Sequence, residues 1–128
     1  MTIRITRLGT PRAAGEGTRL GTVRRPPRGV PKTEFASANW YDVWYPVLAP
    51  SAALMKAGQA ARTDKHWAAF FKKYRAEMAQ QAPSQSLDVL AALSRQGNFS
   101  MGCYCENEQR CHRSQLRALL LERGVQLE

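Results

Sequence analysis

Residues 98–113 read NFSMGCYCENEQRCHR and contain all three cysteines and one of the two histidines of this 128-residue chain. The apolar run from Asn98 to Tyr104 follows Gly97, a pattern that is typical of a buried strand. Downstream, leucines recur at helical spacing as far as Gly124, a residue suited to end a helix. The segment therefore predicts a strand, a polar loop and a helix. A loop that enters a helix presents free backbone N–H groups and the positive end of the helix dipole, which favour an anion or a thiolate.

The rest of the chain predicts further strands and helices. We expect strands at 2–7 and 18–23 and helices at 51–61, 63–81 and 86–97. Pro83 is expected to break the chain before Ser86 caps the third of these helices. This order predicts an α/β fold, a single small domain over residues 1–128 with a mostly parallel or mixed sheet and helices packed on it. Such folds bind ligands beyond the carboxyl ends of their strands, which is where the loop from Cys103 to Arg113 would lie.

The formal net charge of +9, concentrated in the first third of the chain, predicts attraction to anions. Weak, salt-dependent binding of nucleic acid follows from such a charge, although no recognised nucleic-acid-binding motif accompanies it. Arg25 and Arg28 stand out because their proline-rich segment is stiff. A rigid turn limits the entropy lost when their guanidinium groups grip a phosphate or carboxylate.

Neither a signal-peptide core nor a membrane-spanning run is present in the sequence. We therefore expect a cytoplasmic protein that has reduced cysteines and no membrane contact.

The cysteines admit three interpretations. In the first, Cys103 and Cys105 face the same way on a strand and join Cys111 and His112 in a structural zinc site. In the second, a thiol near a helix N-terminus, arginines and an imidazole is acidified and acts as a nucleophile or redox centre. The spacing Cys105-x4-Arg110 even matches a rhodanese-type active loop. In the third, Cys103 is a small core residue and the other two thiols have no role.

The order of several short motifs resembles the YeaO-like family, known as domain of unknown function 488. The most specific of them is Cys103 followed by Cys111-His112-Arg113-Ser114, where a Cys-His-Arg triplet opens the last helix. The likeness extends to Gly17-Thr18-Arg19-Leu20, Pro27-Arg28-Gly29-Val30 and Leu48-Ala49-Pro50-Ser51. The resemblance implies an α/β fold and a pocket lined by these residues, and it supplies no reaction.

Together, these features predict a pocket for an anionic small molecule or nucleotide. Cys103, Cys111, His112 and Arg113 would line it, and Arg25 or Arg28 would approach from the N-terminal loop. In an enzyme of this kind a cysteine would be the nucleophile, His112 would move protons, and the arginines, Arg110 included, would hold negative charge. The predicted anion-binding pocket needs no cofactor. The alternatives are a basic nucleic-acid-associated module and a zinc-stabilised domain without catalysis.

Overall fold

A computed structural model describes residues 2–128 and has a four-stranded parallel sheet at its centre. The strands are β1 (Arg4–Arg7), β2 (Thr18–Gly21), β3 (Val43–Trp44) and β4 (Phe99–Cys103), in the order β1-β4-β2-β3. Each neighbouring pair is parallel. Every residue of β4 is buried, which explains its uninterrupted apolar run, because a central parallel strand is covered on both faces.

Four helices pack around this sheet: α1 (Ala52–Ala60), α2 (Asp64–Met78), α3 (Gln81–Leu93) and α4 (His112–Glu122). The expected cap of α1 is present, since the Ser51 hydroxyl accepts a hydrogen bond from the Leu54 N–H. The α/β fold predicted from the sequence is confirmed. Among residues 2–128, no helix combines the length and the apolar character that crossing a membrane demands.

The predicted start of the third helix is wrong. Helix α3 begins at Gln81 rather than Ser86, and Pro83 lies within its first turn. Proline is tolerated there because the N–H groups of the first turn have no partner inside the helix. Ser86 is therefore an interior helical residue and not a cap.

The main core lies between the sheet and the helices. The aromatic stripe predicted for α2 is confirmed: Phe70, Tyr74 and Met78 are buried there, and Trp67 and Phe71 pack against them. A second, smaller cluster lies at the carboxyl ends of the strands and contains Leu8, Val23, Tyr41, Cys103 and Cys111. The two buried cysteines therefore belong to this second cluster and not to the main core.

Ion pairs with acidic residues neutralise part of the positive charge in the first third of the chain. Arg19, which is fully buried, donates to the Glu16 carboxylate at 2.7 Å, and Ser100 donates to the same carboxylate at 2.7 Å. Burial alone would raise the pKa of Glu16, but these hydrogen bonds outweigh it and lower that pKa from 4.5 to about 2. Arg12 pairs with Asp42 at 2.8 Å. The arginines that remain available are therefore fewer than composition suggests.

Candidate functional site

The sequence 98–113 forms the expected strand, loop and helix. Strand β4 ends at Cys103, and α4 begins at His112. Cys111 is the residue before the first turn of α4 and has an extended backbone, with φ −153° and ψ 152°. Its sulfur therefore lies beside the end of the helix that carries a positive partial charge.

Cys103, Cys111 and His112 come together at this point, and we refer to these three residues as the sulfur site. The Sγ atoms of the two cysteines are 2.9 Å apart, and Sγ of Cys111 is 3.7 Å from Nδ1 of His112. The three donor atoms all lie within 4.8 Å of one another. Each residue is at most 5% exposed.

The imidazole of His112 is held in one orientation. Its Nε2 lies 2.8 Å from the backbone carbonyl oxygen of Thr22, just beyond the end of β2. A carbonyl oxygen can only accept, so Nε2 carries a hydrogen, and in the neutral imidazole the lone pair of Nδ1 then faces Cys111. The ring of Tyr74 packs against the imidazole at a centroid distance of 5.3 Å.

Cys105 lies in the loop, outside the group of three donor atoms. It is exposed, because β4 has already ended two residues earlier. Its backbone N–H donates to Sγ of Cys103 at 3.3 Å. Hydrogen bonds with Cys103 lower the pKa of both Cys105 and Cys111, and the same bonds, with burial, raise the pKa of Cys103. Shared hydrogen bonds therefore link the titration of the three thiols.

Of the two arginines expected in this loop, the structure brings only one to the sulfur site. Arg113 is 3% exposed, and its Nη2 donates to the Cys105 carbonyl oxygen at 2.6 Å. Burial would lower its pKa, but a hydrogen bond with Cys111 reverses the effect and raises it. Arg110 instead forms an exposed ion pair with Asp64 at 3.2 Å. Arg110 is therefore engaged by an acidic side chain from α2 and not by the sulfur site.

A cleft of about 1180 Å³ opens at the carboxyl edge of the sheet. It is lined by the segments that follow β1 and β2, by Tyr104 after β4, and by one side of α1. Its cationic residues are Arg7, Arg24, Arg25, Arg28 and Lys56, and no acidic residue is among the described residues that line it. Arg25 and Arg28 both line this cleft.

The expectation of one common pocket needs correction, because the sulfur site does not line this cleft. Leu8 and Val23 separate the two. They line the cleft and also belong to the apolar cluster that contains Cys103 and Cys111. The physical reason is burial: the thiols complete a small core at the end of the sheet, and its outer members form the wall of the cleft.

The arginines of the cleft differ in what they already bind. Arg24 donates to the carbonyl oxygens of Pro46, Ala49 and Pro50, which fixes the proline-rich loop against the start of α1. Arg7 donates to the carbonyl oxygen of Tyr104. Within residues 2–128, the guanidinium groups of Arg25 and Arg28 have no hydrogen-bond or salt-bridge partner. These two arginines are therefore free to bind a ligand.

Several residues that line the cleft were not among the candidate site residues predicted from the sequence. Arg7 ends β1, and the carboxyl end of a parallel strand is a position that could have indicated it. Trp40 and Lys56 come from a loop and a helix far apart in the chain, and no local pattern places them together. Tyr104 was assigned to the strand, whereas its hydroxyl donates to the Arg25 carbonyl oxygen at 2.8 Å and forms part of the cleft.

Comparison with known families gives a match over residues 3–124 to a family model described as DUF488-N3a: Active DUF488-N3 subclade. No curated protein and no solved structure matches the chain. The description of the subclade calls it active and names no reaction.

Proposed function

This chain belongs to DUF488, the YeaO-like family, and from that premise we propose that its cleft binds a phosphate-bearing small molecule such as a nucleotide. The observation that carries the proposal is the charge of the cleft, with five cationic side chains and no carboxylate among its described lining residues. A cleft lined by positive charges concentrates their electric field and so raises the local concentration of anions.

Two of these side chains are suited to grip phosphate. Arg25 and Arg28 are exposed, and Pro26 and Pro27 between them restrict the backbone that carries them. A guanidinium group offers two parallel N–H donors to a phosphate. Because the loop is already ordered by Arg24, less entropy is lost when a ligand binds.

The aromatic residues favour a nucleotide over inorganic phosphate. Trp40 and Tyr104 both line the cleft, and their rings meet edge to face at a centroid distance of 5.8 Å. A base can stack on an exposed aromatic face, which contributes about 1–3 kcal/mol in known single-strand binding sites. The volume of about 1180 Å³ leaves ample room for such a ligand.

A small ligand suits the charge distribution better than a nucleic-acid strand. Arg4, Arg12 and Arg19 are engaged in ion pairs with acidic residues, so the N-terminal third does not form a continuous basic stripe. Of the cationic residues that remain in this third, Arg7, Arg24, Arg25 and Arg28 line the cleft, and Lys32 does not. Binding of single-stranded RNA at physiological salt, more tightly than a nucleoside monophosphate, would favour the strand-binding alternative.

The ligand comparison that tests this proposal uses a nucleoside monophosphate, the matching nucleoside and inorganic phosphate. Tryptophan fluorescence of the full chain should change saturably with the monophosphate and much less with the nucleoside. Arg28→Ala should weaken binding by about ten-fold or more, since a charge-assisted hydrogen bond contributes about 1.5–3 kcal/mol. Arg95→Ala removes the same charge from an exposed position outside the cleft and is the matched control. Equal effects of the two substitutions, or no binding by the unmodified chain, would contradict the proposal.

Thiol-based catalysis is a second candidate function, and it is supported by the contact between Cys111 and His112. The oriented Nδ1 can accept the thiol proton, which leaves a thiolate to attack an electrophilic carbon or phosphorus atom. The bond from that atom to its leaving group would break, and the leaving group would take up the proton held by His112. Arg113 would stabilise the negative charge that develops. Cys111 is 2% exposed, so the wall formed by Leu8 and Val23 would have to open for a substrate to reach it.

Alkylation with iodoacetamide tests this second candidate. An activated Cys111 should react faster than free cysteine near neutral pH, and His112→Gln should abolish that advantage. Reaction of Cys111 no faster than that of free cysteine would count against a nucleophilic role.

A further inference from the structure

We propose that the sulfur site, Cys103, Cys111 and His112, binds a zinc ion directly behind the wall of the cleft. The proposal does not depend on anion binding, because none of its three ligands lines the cleft. It would add a metal centre to a protein whose cleft alone needs none.

The geometry is close to that of a bound metal ion. The donor atoms lie 2.9 Å and 3.7 Å from Cys111 Sγ, and all three lie within 4.8 Å of one another. With metal–sulfur bonds of about 2.3 Å and metal–nitrogen bonds of about 2.0 Å, tetrahedral ligand atoms are roughly 3.6–3.8 Å apart. Side-chain shifts of about 1 Å would bring the three atoms to that spacing.

The donor set selects the kind of metal. Two thiols and one imidazole, with no carboxylate, are ligands for zinc and similar soft or borderline ions and not for magnesium or calcium. Both cysteines are 2% exposed, and two thiolates balance the two positive charges of the ion. The centre is therefore neutral, which makes its burial in an apolar cluster acceptable.

The surroundings of the ligands support a metal more than a plain apolar core. His112 donates its Nε2–H to the Thr22 carbonyl oxygen, the outer contact that typically orients a metal-bound imidazole. The Cys105 N–H donates to Cys103 Sγ, and such donors stabilise thiolate ligands. A purely apolar packing role requires none of these polar contacts.

Three ligands leave the fourth tetrahedral position to a water molecule. Cys105 is exposed and lies outside the group of donor atoms, so it is not assigned as a ligand. An open position is the arrangement of catalytic zinc sites, whereas structural sites are closed by four protein ligands. Zinc binding and the thiol-based mechanism exclude each other, because the ion would occupy the Nδ1 lone pair of His112 that would otherwise accept the Cys111 proton.

Metal analysis of the full chain tests the proposal. Protein purified under reducing conditions without chelator should contain about one zinc per chain, and cobalt added to the metal-free protein should give sulfur-to-cobalt charge-transfer bands. Cys111→Ser should weaken zinc binding by about 100-fold or more and reduce those bands. Cys105→Ser is the matched control and should keep both. Circular dichroism of each variant shows whether it is folded.

Two results would overturn the assignment. One is a folded, reduced, unmodified chain that takes up no zinc and gives no charge-transfer bands with cobalt. The other is a loss of zinc in Cys105→Ser as large as that in Cys111→Ser, which would replace the three-ligand site with a different one. Nucleotide binding measured in the presence of a chelator separates these outcomes from a failure of the proposed cleft function.

Discussion

Replacement of Glu16 by glutamine should destabilise the protein and loosen one wall of the cleft. The Glu16 carboxylate is buried and accepts hydrogen bonds from Arg19 and Ser100. Arg19 in turn donates to the carbonyl oxygens of Thr10 and Asn39, at 2.9 and 2.7 Å. Thr10 lines the cleft directly, as does Trp40, the residue after Asn39. The buried pair therefore links the start of the loop after β1 to the aromatic wall of the cleft.

The expected magnitude follows from the pKa of Glu16. The decrease from 4.5 in the unfolded chain to about 2 in the folded one corresponds to about 3 kcal/mol of stability at neutral pH. Because the folded pKa is the lower one, this stabilisation is fully present above about pH 4.5 and is lost as the pH falls towards 2. Glu16→Gln should lower the free energy of unfolding at pH 7 by about 3–5 kcal/mol, since it leaves Arg19 buried without a charge partner.

Urea unfolding, followed by circular dichroism at pH 7, 5, 4 and 3, measures both effects. The unmodified chain should lose stability below about pH 4.5, and the variant should lack the part of that loss that Glu16 contributes. The double variant Glu16→Gln with Arg19→Met is the control, and it should recover part of the stability because no unpaired charge remains buried. If the free energy of unfolding of the single variant fell by less than about 1 kcal/mol, or if its pH dependence matched that of the unmodified chain, Glu16 would not provide the predicted stabilisation.

Two further predictions concern a turn and the exposed thiol. Gly17→Ala should lower the free energy of unfolding by about 2 kcal/mol or more in thermal unfolding, because Gly17 has φ +78° and an added Cβ would overlap a backbone carbonyl oxygen. Gly97→Ala, where the Cβ meets nothing within 4 Å, should change it by less than about 1 kcal/mol, and equal losses would contradict the account. In the native protein, iodoacetamide should modify the exposed Cys105 first, and the buried Cys103 should stay protected, as peptide mapping by mass spectrometry would show. Protection of Cys111 as well is the result expected without thiol-based catalysis, and rapid labelling of Cys111 is the result expected with it. Equal labelling of all three thiols would contradict their burial.

Local sequence signals predicted much of the fold. The apolar run before Cys103 could be recognised as a buried strand because both of its faces are covered, and Ser51 and Gly124 mark helix ends through local backbone chemistry. The juxtaposition of Cys103 with Cys111-His112-Arg113 could also be predicted, because a strand and the helix that follows it meet across one short loop. The start of α3 was predicted wrongly because proline breaks a helix only in its interior, whereas Pro83 lies in the first turn.

The cleft could not be predicted in the same way. It joins side chains from the ends of two strands, a proline-rich loop, an aromatic loop and α1, which are brought together only by the order of strands in the sheet. The burial of Arg19 could not be predicted either. Its carboxylate partner, Glu16, also accepts a hydrogen bond from Ser100, which is 84 residues away in the sequence. From composition alone, Arg19 would be taken as one of the exposed cationic residues, whereas it is fully buried. Long-range contacts of this kind decide which of the many arginines are available to a ligand.

An NMR titration of the full chain with a nucleoside monophosphate tests directly whether the cleft binds a nucleotide. Of the three tryptophans, only Trp40 lines the cleft, while Trp67 packs against the main core and is an internal reference. If the cleft binds the nucleotide, the Trp40 indole N–H and the Arg25 and Arg28 Nε–H signals should shift saturably, and the Trp67 indole N–H signal should not move. Shifts that are absent from the cleft, or that are equal at Trp40 and Trp67, would contradict binding in the cleft.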